Sequence, residues 1–141
     1  MKFWDSSAIV PLLAEEPKTA GARELYLSDA EVVVWWATPV ECASALARLE
    51  RDGGLEPKDV GAALRRLDAL ARSWIEVEPH DELRETARRF LRVHPLRAAD
   101  ALQLAAAYLA AERRPPTLTM VTIDDRLQEA AAKEGFVLAD L

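Results

Sequence analysis

Residues 32–53 read VVVWWATPVECASALARLERDG, and this stretch decides the fold class. The run VVVWW (32–36) is continuously apolar and rich in β-branched and aromatic residues, which is typical of a strand buried in a parallel sheet. A helix follows directly, because Thr38 suits the N-cap, Pro39 the first helical position and Gly53 the C-terminal stop. A buried strand joined by a short turn to a helix is the repeating unit of an α/β protein.

The same alternation extends along the rest of the chain in both directions. Apolar runs predict further strands, and amphipathic segments predict the helices between them. The predicted strands are 2–4, 74–78, 115–122 and 136–140, and the other predicted helices are 6–16, 17–28, 56–73, 80–93, about 96–112 and 123–135. Because no hairpin signal separates any two strands, we predict an α/β fold with a central parallel sheet of four to five strands and helices on both faces.

Length and composition are those of a single globular domain, which we expect to cover residues 1–141. Half of the 141 residues are apolar and 30% are charged, which is ordinary for this class. The longest apolar-rich stretch, ALQLAAAYLAA (101–111), is too short to span a bilayer. Asp5 interrupts the start of the chain before any apolar region begins, so no signal peptide is predicted. We therefore expect a cytoplasmic protein with no membrane partner.

The single cysteine and the charge balance narrow the class further. Cys42 allows no intrachain disulfide and is expected to fill space in the core. The net charge is −6, which disfavours a general nucleic-acid-coating protein. Of the 18 cationic residues 14 are Arg and 4 are Lys. Arg is the better bidentate ligand for phosphate, although high genomic GC content gives the same bias and is the simpler explanation.

Four acidic residues lie where strands end or helices begin. Asp5 directly follows the first predicted strand, Glu41 lies in the first turn after the second, and Asp124 lies just past the strand near the C-terminus. Ligand sites of parallel sheets lie at the carboxyl ends of the strands, so we expect these three side chains at one edge. Asp100 lies in LRAADALQLA (96–105), among small apolar residues where a carboxylate is costly to bury without a partner or a metal.

Helix capping is the alternative explanation for most of these acids. The candidate caps are Asp5 alone, Thr38 with Glu41 in a capping box, and Thr122 with Asp125 in a second box. Asp124 would then lie in a first turn beside the helix dipole. Asp100 is the exception, because its helix is predicted to begin several residues earlier.

Several carboxylates close together repel one another and raise one another's pKa unless a cation is present. A hard divalent ion removes that conflict, and a ligand set made only of oxygen atoms favours Mg²⁺ or Mn²⁺ over zinc. The chain has no His or Cys set for zinc: His80 and His94 are predicted at a helix start or in a loop, and both are expected to be solvated.

Four segments, taken in order, resemble one family of enzymes. They are FWDSSAIVPLL (3–13), TPVECASAL (38–46), LRAADALQLA (96–105) and VTIDDRLQEAA (121–131). Each is weak alone, but their order and spacing over nearly the whole chain resemble the PIN-domain ribonucleases, and most closely the VapC-type toxins of toxin–antitoxin pairs.

The resemblance implies a three-layer α/β/α fold and an acidic pocket that binds Mg²⁺ or Mn²⁺ and hydrolyses RNA to 5′-phosphate and 3′-hydroxyl ends. It assigns catalysis and metal binding to Asp5, Glu41, Asp100 and Asp124. It gives supporting roles to Ser6 or Ser7 and to Thr122 as pocket hydroxyls, to Asp125 beside Asp124, and to Arg97 as a phosphate contact. For Arg65, Arg66, Arg88 and Arg89 a solvated helix face is the favoured alternative to phosphate binding.

Two residues depart from the family pattern. Gln103 stands where many relatives carry His, which puts any secondary role of that position in doubt. Trp4 stands where an aliphatic residue is commoner, and we expect it to alter only core packing. Neither change removes an acid.

The resemblance also implies partners. Relatives bind a small antitoxin whose C-terminal segment lies in a groove and blocks the pocket, and they form homodimers. The helices at 17–28 and 57–71 are candidate contact surfaces, although they could equally cover the sheet. Three tryptophans lie in strand-like runs, and most of them are expected to pack in the core with the strands. They are Trp35, Trp36 and Trp74.

A catalytically inactive PIN-like module that binds RNA or protein is the alternative function. A phosphoaspartate receiver is disfavoured because the early acidic pair and the late lysine are missing, and a haloacid-type phosphatase because Ser7 replaces its second acid. The RNA target, the identity of the antitoxin and the choice between one and two metal ions stay open.

Overall fold

The computed structural model describes residues 1–141, with five strands and seven α-helices in regular alternation. The strands are β1 (Lys2–Trp4), β2 (Val32–Trp35), β3 (Ile75–Val77), β4 (Thr119–Val121) and β5 (Val137–Leu138). The helices are α1 (Ser6–Leu13), α2 (Thr19–Ser28), α3 (Thr38–Arg51), α4 (Pro57–Ala71), α5 (Asp81–Val93), α6 (Ala98–Ala110) and α7 (Asp125–Glu134). Every predicted element is present. β1 has the predicted bounds, and the other four strands are shorter than predicted.

The five strands form one sheet in the order β3-β2-β1-β4-β5, and every neighbouring pair is parallel. The predicted parallel sheet of four to five strands is therefore confirmed. β1 is the central strand, with β2 on one side and β4 on the other. As a result, the residues that follow β1, β2 and β4 lie side by side at the carboxyl edge of the sheet.

Side chains alternate across the sheet and divide the core in two. Phe3, Val33, Trp35 and Met120 point to one face, where they pack with buried residues of α5, α6 and α7. Trp4, Val32, Val34 and Val121 point to the other face, where they pack with α1 to α4. Helices therefore cover both faces, which confirms the three-layer α/β/α architecture, and fully buried Trp4 has the packing role predicted for it.

The start of β4 and the end of α7 are both explained by the residue types found there. The predicted strand at 115–122 shortens to β4 because Pro115–Thr117 forms a 3₁₀ turn, and a proline cannot donate a ladder hydrogen bond. Gly135, the predicted end of α7, has φ +96°, a conformation that glycine adopts without the steric cost of a Cβ atom. No helix of the protein is long and apolar enough to cross a membrane.

The prediction of a solvated His94 is wrong. This side chain is buried, and its Nε2 lies 2.7 Å from Oε2 of Glu134 at the end of α7. The local sequence marked a helix end and could not show that α7 packs over it. His80 does lie at a helix start, where Nδ1 accepts a hydrogen bond from the Leu83 amide at 3.4 Å.

Cys42 and two of the three tryptophans predicted to pack with the strands lie in the core, as expected. Cys42 is fully buried, and Trp35 and Trp74 are buried beside the strands. Trp36 is the exception, with 51% of its surface exposed just past the end of β2.

Candidate active site

Asp5 lies at the centre of the carboxyl edge and is held from several sides. Its backbone amide donates to the Val121 carbonyl at 2.9 Å, which fixes the end of β1 against β4. Its side chain caps α1 by accepting from the Ser7 amide at 3.2 Å. The same oxygen, Oδ2, also accepts from the hydroxyls of Ser7 at 2.5 Å and Thr122 at 2.9 Å. The side chain is therefore both a cap and a fixed, 96%-buried carboxylate.

Ser7 and Thr122 extend this network across the join of β1 and β4. Their hydroxyl oxygens lie 3.1 Å apart. Ser7 Oγ accepts from the Ile123 amide at 3.1 Å, and Thr122 Oγ1 accepts from the Asp124 amide at 3.1 Å. Ser6, in contrast, makes only a long contact with Asp5, its hydroxyl lying 3.4 Å from Oδ1, and on its other side it lies beside Glu41, whose pKa it lowers. Of the two candidate serines, Ser7 is thus the one that orients Asp5, while Ser6 faces the open cleft.

Glu41 projects from the first turn of α3 and is held by a residue of α6. Its Oε2 accepts from the Gln103 side-chain amide at 2.5 Å. Gln103 is 1% exposed and also donates to Thr38 Oγ1 at 3.3 Å. The predicted capping box is wrong, because Ala37 precedes the helix and Thr38 is its first residue. Pro39 is therefore the second helical residue, where its missing N–H would have no partner within the helix in any case.

Asp100 lies in the first turn of α6. The prediction that this helix begins several residues earlier is wrong, since α6 begins at Ala98. Asp100 Oδ2 accepts from the backbone amide of Arg97 at 3.4 Å, so the acid reaches back over the helix start as in a capping box. Pro95 lies just ahead of this turn and cannot donate a helical hydrogen bond, which places the boundary after it.

Asp124 is itself the N-cap of α7, with Oδ1 accepting from the Leu127 amide at 2.8 Å. The predicted box of Thr122 with Asp125 is therefore wrong. Asp125 is the first residue of the helix and is exposed, while the Thr122 hydroxyl is directed to Asp5 instead. A capping aspartate accepts with one oxygen and leaves the other available.

The four acids influence one another's ionisation. Burial raises the pKa of Asp5, and the charge of Asp100 raises it further against the opposing hydrogen bonds of Ser7 and Thr122. Burial also raises the pKa of Glu41 to about 7, with added effects from the charges of Asp5 and Asp100. Burial and the charge of Asp124 raise the pKa of Asp100. Burial and the neighbouring carboxylates thus both disfavour the charged forms of Asp5, Glu41 and Asp100.

These acids surround an open cleft of about 880 Å³. Six of the predicted site residues line it, namely Ser6, Glu41, Arg97, Asp100, Asp124 and Asp125. Asp5 and Thr122 do not line it and instead lie beneath it in the hydrogen-bond network. The cleft also contains Ser44, Arg48 and Arg126, which the sequence analysis missed. Arg48 could have been found, because it lies seven residues after Glu41, on the same face of the helix.

A model of the PIN domain family matches residues 2–133. The chain belongs to the PIN domain family.

Solved structures with the same fold agree with this assignment. FitAcB from Neisseria gonorrhoeae is 20% identical with a TM-score of 0.65, over 99% of this chain and 97% of that chain. PAE2754 from Pyrobaculum aerophilum is 22% identical with a TM-score of 0.67, over 97% and 87%. FitAB bound to an IR36 DNA fragment is 19% identical with a TM-score of 0.64, over 99% and 94%. At these identities the likeness is one of fold. No curated protein matches the chain.

PIN nucleases generally use divalent metals, and the donor chemistry of this PIN domain fits such an ion. Asp5, Glu41, Asp100 and Asp124 supply only carboxylate oxygens, the ligands that Mg²⁺ and Mn²⁺ prefer. Burial and neighbouring negative charge raise the pKa values of Asp5, Glu41 and Asp100, and a divalent cation relieves this conflict. No three of these side chains are arranged to share one ion in this conformation. Instead, Ser7, Thr122 and Gln103 hold Asp5 and Glu41 by direct hydrogen bonds.

The other arginines singled out in the sequence lie outside the cleft of the PIN domain. Arg66 donates to the Leu13 carbonyl at 2.8 Å, and Arg88 pairs with Glu85 at 3.0 Å. The Arg89 guanidinium lies over the rings of Phe90 and Tyr108. Arg65 is exposed on α4. The solvated or structural alternative therefore accounts for all four.

Proposed function

We propose that this PIN domain is a Mg²⁺- or Mn²⁺-dependent endoribonuclease and the toxin of a type II toxin–antitoxin pair. The observation that carries the proposal is the position of the acids. A buried, doubly hydroxyl-bonded Asp5 lies beneath a cleft lined by Glu41, Asp100 and Asp124, and burial raises the pKa values of three of the four. Acids that served only as helix caps would not have to lie close enough together for their charges to repel one another.

The chain's own residues define what the cleft does. Asp5, Glu41, Asp100 and Asp124 would hold the ion, which when bound supplies Lewis-acid activation of water and charge neutralisation at phosphate. Ser7 and Thr122 keep Asp5 in one rotamer. Gln103 orients Glu41, and such outer partners tune the ligands that they hold. Arg97 lies at the rim, where it can contact the RNA backbone. Hydrolysis then leaves 5′-phosphate and 3′-hydroxyl ends.

The purified protein provides the direct test of nuclease activity. With Mn²⁺ it is expected to cleave total RNA, and end mapping is expected to find a 5′-phosphate at each cut. Asp5→Asn and Asp100→Asn should each lower the rate by more than about 100-fold, since loss of even an outer partner costs 10- to 100-fold. Asp68→Asn on the exposed face of α4 is the matched control and should cleave as the wild type does.

Full Mn²⁺-dependent cleavage by either Asp5→Asn or Asp100→Asn contradicts the site assignment. RNA binding with no cleavage by the wild type, under any divalent ion, contradicts the nuclease proposal. That second outcome favours the alternative of an inactive module that binds RNA or protein.

The toxin role adds a small antitoxin, a homodimer and a cytoplasmic location to the proposal. The structural neighbour FitAB is bound to a DNA fragment, which is consistent with a toxin that works inside a larger DNA-binding assembly. The net charge of −6 disfavours DNA contact by this chain itself, so we assign DNA binding to the antitoxin. Expression of the wild-type chain alone should arrest growth, and Asp5→Asn should relieve the arrest. Growth unaffected by an active nuclease would contradict the toxin role alone.

A further inference from the structure

Three arginines line the acidic cleft, and each comes from a different element. Arg48 lies on α3, Arg97 immediately precedes α6, and Arg126 lies in the first turn of α7. All three are exposed. The arginines that form ion pairs with carboxylates are elsewhere, namely Arg23, Arg84, Arg88 and Arg113. The cleft therefore combines a floor of acids with a rim of three guanidinium groups that form no direct ion pair with a carboxylate.

The topology places these arginines on opposite sides of Asp5. α3 follows β2, and α7 follows β4, while Asp5 follows the strand between them. Arg48 therefore lies on the β2 side of the cleft and Arg126 on the β4 side. Arg97 lies with Arg126, because α6 and α7 pack together on the same face of the sheet. The rim has one cation on one wall and two on the other.

Arg48 is too far along α3 to contact the same phosphate as the acids. It is seven residues beyond Glu41, which is about 10 Å along the helix axis. Ser44 lies between them and also lines the cleft, so this whole face of α3 is open to a ligand. A guanidinium at that distance suits a neighbouring phosphate of an extended polyanion, which it can bind bidentately.

We propose that Arg48 on one wall, with Arg97 and Arg126 on the other, forms a phosphate clamp that lays one RNA strand across the carboxyl edge of the sheet, over Asp5, in the direction from β2 to β4. This rests on the proposed ribonuclease function, which brings the scissile phosphate to the acids. The clamp holds the phosphates on either side of it. The protein is otherwise anionic, so these three cations supply the local attraction that the rest of the surface lacks. The cleft of about 880 Å³ is open, so a strand bound in it can continue past both walls.

The clamp is tested by steady-state cleavage of a single-stranded RNA oligonucleotide that contains a cut mapped in total RNA. Arg48→Gln, Arg97→Gln and Arg126→Gln should each raise KM roughly 5- to 20-fold, the effect of losing one charged hydrogen bond at an exposed site. The kcat should change less than twofold for Arg48→Gln and Arg126→Gln. The slope of log(1/KM) against log salt should fall by about 0.7 for each arginine removed, as expected for single strands.

Two further substitutions serve as controls. Arg65→Gln removes an exposed arginine of α4 that lies outside the cleft, and it should leave both KM and the salt slope unchanged. Arg97 adjoins Asp100, so Arg97→Lys separates two roles of that position. Lys keeps the charge beside Asp100 but loses the bidentate fork, so kcat should return to the wild-type value while KM stays raised if Arg97 binds phosphate.

The direction of the strand gives the sharpest arm of the test. When the substrate is shortened on one side of the cut, the effect of Arg48→Gln should vanish while that of Arg126→Gln persists. Shortening the other side should reverse the pattern. Duplex RNA of the same sequence should compete poorly with the single strand. The clamp is overturned if shortening the same side of the substrate abolishes the effects of both Arg48→Gln and Arg126→Gln. It is also overturned if the triple variant has the KM and salt slope of the wild type, whether or not the arginines bind some other acidic partner such as a peptide.

The clamp and the ribonuclease proposal can fail separately. If the wild type binds a fluorescein-labelled RNA by anisotropy but does not cut it, the ribonuclease proposal fails and the same variants test the clamp through Kd. If the wild type neither binds nor cuts RNA, both fail.

Discussion

The side-chain amide of Gln103 donates to the Glu41 carboxylate over 2.5 Å, and so links the first turn of α3 to the buried face of α6. The other end of the same amide, Oε1, is buried and has no hydrogen-bond partner. A buried acceptor without a partner costs stability. This cost is consistent with a residue that is kept for the hydrogen bond its amide donates to Glu41 rather than for its packing.

Gln103→Met should separate positioning from stability. Met has a similar length but no donor, and it also removes the unpaired Oε1, so the free energy of unfolding should change by less than about 1 kcal/mol. The affinity for Mn²⁺ should fall about 10- to 100-fold, as it does for lost outer-shell partners. Because the Gln103 hydrogen bond lowers the pKa of Glu41, its loss should also shift Mn²⁺ binding to higher pH.

The control for this change is Thr38→Val, which removes the weaker 3.3 Å contact of the same amide and should leave Mn²⁺ affinity within about twofold of wild type. Calorimetric titration with Mn²⁺ at several pH values measures both effects. Equal Mn²⁺ affinities for Gln103→Met and the wild type would show that Glu41 needs no positioning partner.

The metal-free protein should lose stability as pH rises from about 5 to 8. The pKa of Glu41 is raised from 4.5 to about 7 in the fold, so its stabilising contribution is fully present below 4.5 and is lost as pH passes through about 7. Burial raises the pKa values of Asp5 and Asp100 in the same direction. Glu41→Gln should remove the part of this pH-dependent loss in the free energy of unfolding that Glu41 causes. That part is on the order of 1–2 kcal/mol after discounting for solvent screening.

Urea unfolding at pH 5 and pH 8 in EDTA measures this slope. With saturating Mn²⁺ the sign should reverse, because the ion binds the deprotonated carboxylates of the folded state only. Identical slopes for Glu41→Gln and the wild type in EDTA would refute the role of Glu41 in this pH dependence.

Asp5 combines a capping role with a chemical one, and two substitutions distinguish them. Asp5→Asn keeps an oxygen that can accept from Ser7 and Thr122 but removes the buried charge, so the metal-free protein should be at least as stable as the wild type. Asp5→Ala loses the cap and should be about 0.5–2 kcal/mol less stable than Asp5→Asn. Both should lose Mn²⁺-dependent cleavage. Thermal unfolding in EDTA together with the cleavage assay tests this, and a less stable Asn variant would count against the buried-charge argument.

Ser7→Ala should be more damaging than Ser6→Ala. The Ser7 hydroxyl contacts Asp5, Thr122 and the Ile123 amide, so its removal leaves a buried amide unpaired at a cost of about 1–3 kcal/mol. Ser6 makes only a long contact with Asp5, at 3.4 Å, and otherwise faces the open cleft beside Glu41, so Ser6→Ala should leave stability almost unchanged. The matched pair is measured by urea unfolding and by kcat in Mn²⁺. The reverse ranking would mean that Ser6, facing the cleft, is the functional hydroxyl.

Much of this structure could be predicted from local sequence. The continuous apolar run at 32–36 gave a buried strand, and the alternation of such runs with amphipathic segments gave a parallel sheet covered on both faces. The position of Asp5 after the first strand gave its place at the carboxyl edge. These inferences hold because strand and helix periodicity are short-range properties of the chain.

Helix starts were less predictable where two caps competed. Thr38 and Thr122 both have capping chemistry, but the fold uses Ala37 and Asp124 as the N-caps of α3 and α7. α6 begins after Pro95, with Arg97 at its N-cap. Capping residues have similar preferences, so the choice among neighbours depends on which register packs the apolar face of each helix. That packing is set by residues far away in the chain.

By itself the sequence determined the fold class, the order of its elements and the four acids at their ends, because each of these depends on neighbours within a few residues. Only the tertiary structure decided which side chains meet. It paired Glu41 with Gln103 across 62 positions and Ser7 with Thr122 across 115. It also buried His94 beneath α7, and set Arg48 and Arg126 on opposite walls of one cleft. These contacts follow from the strand order β2-β1-β4, which places distant segments side by side and leaves no trace in local periodicity.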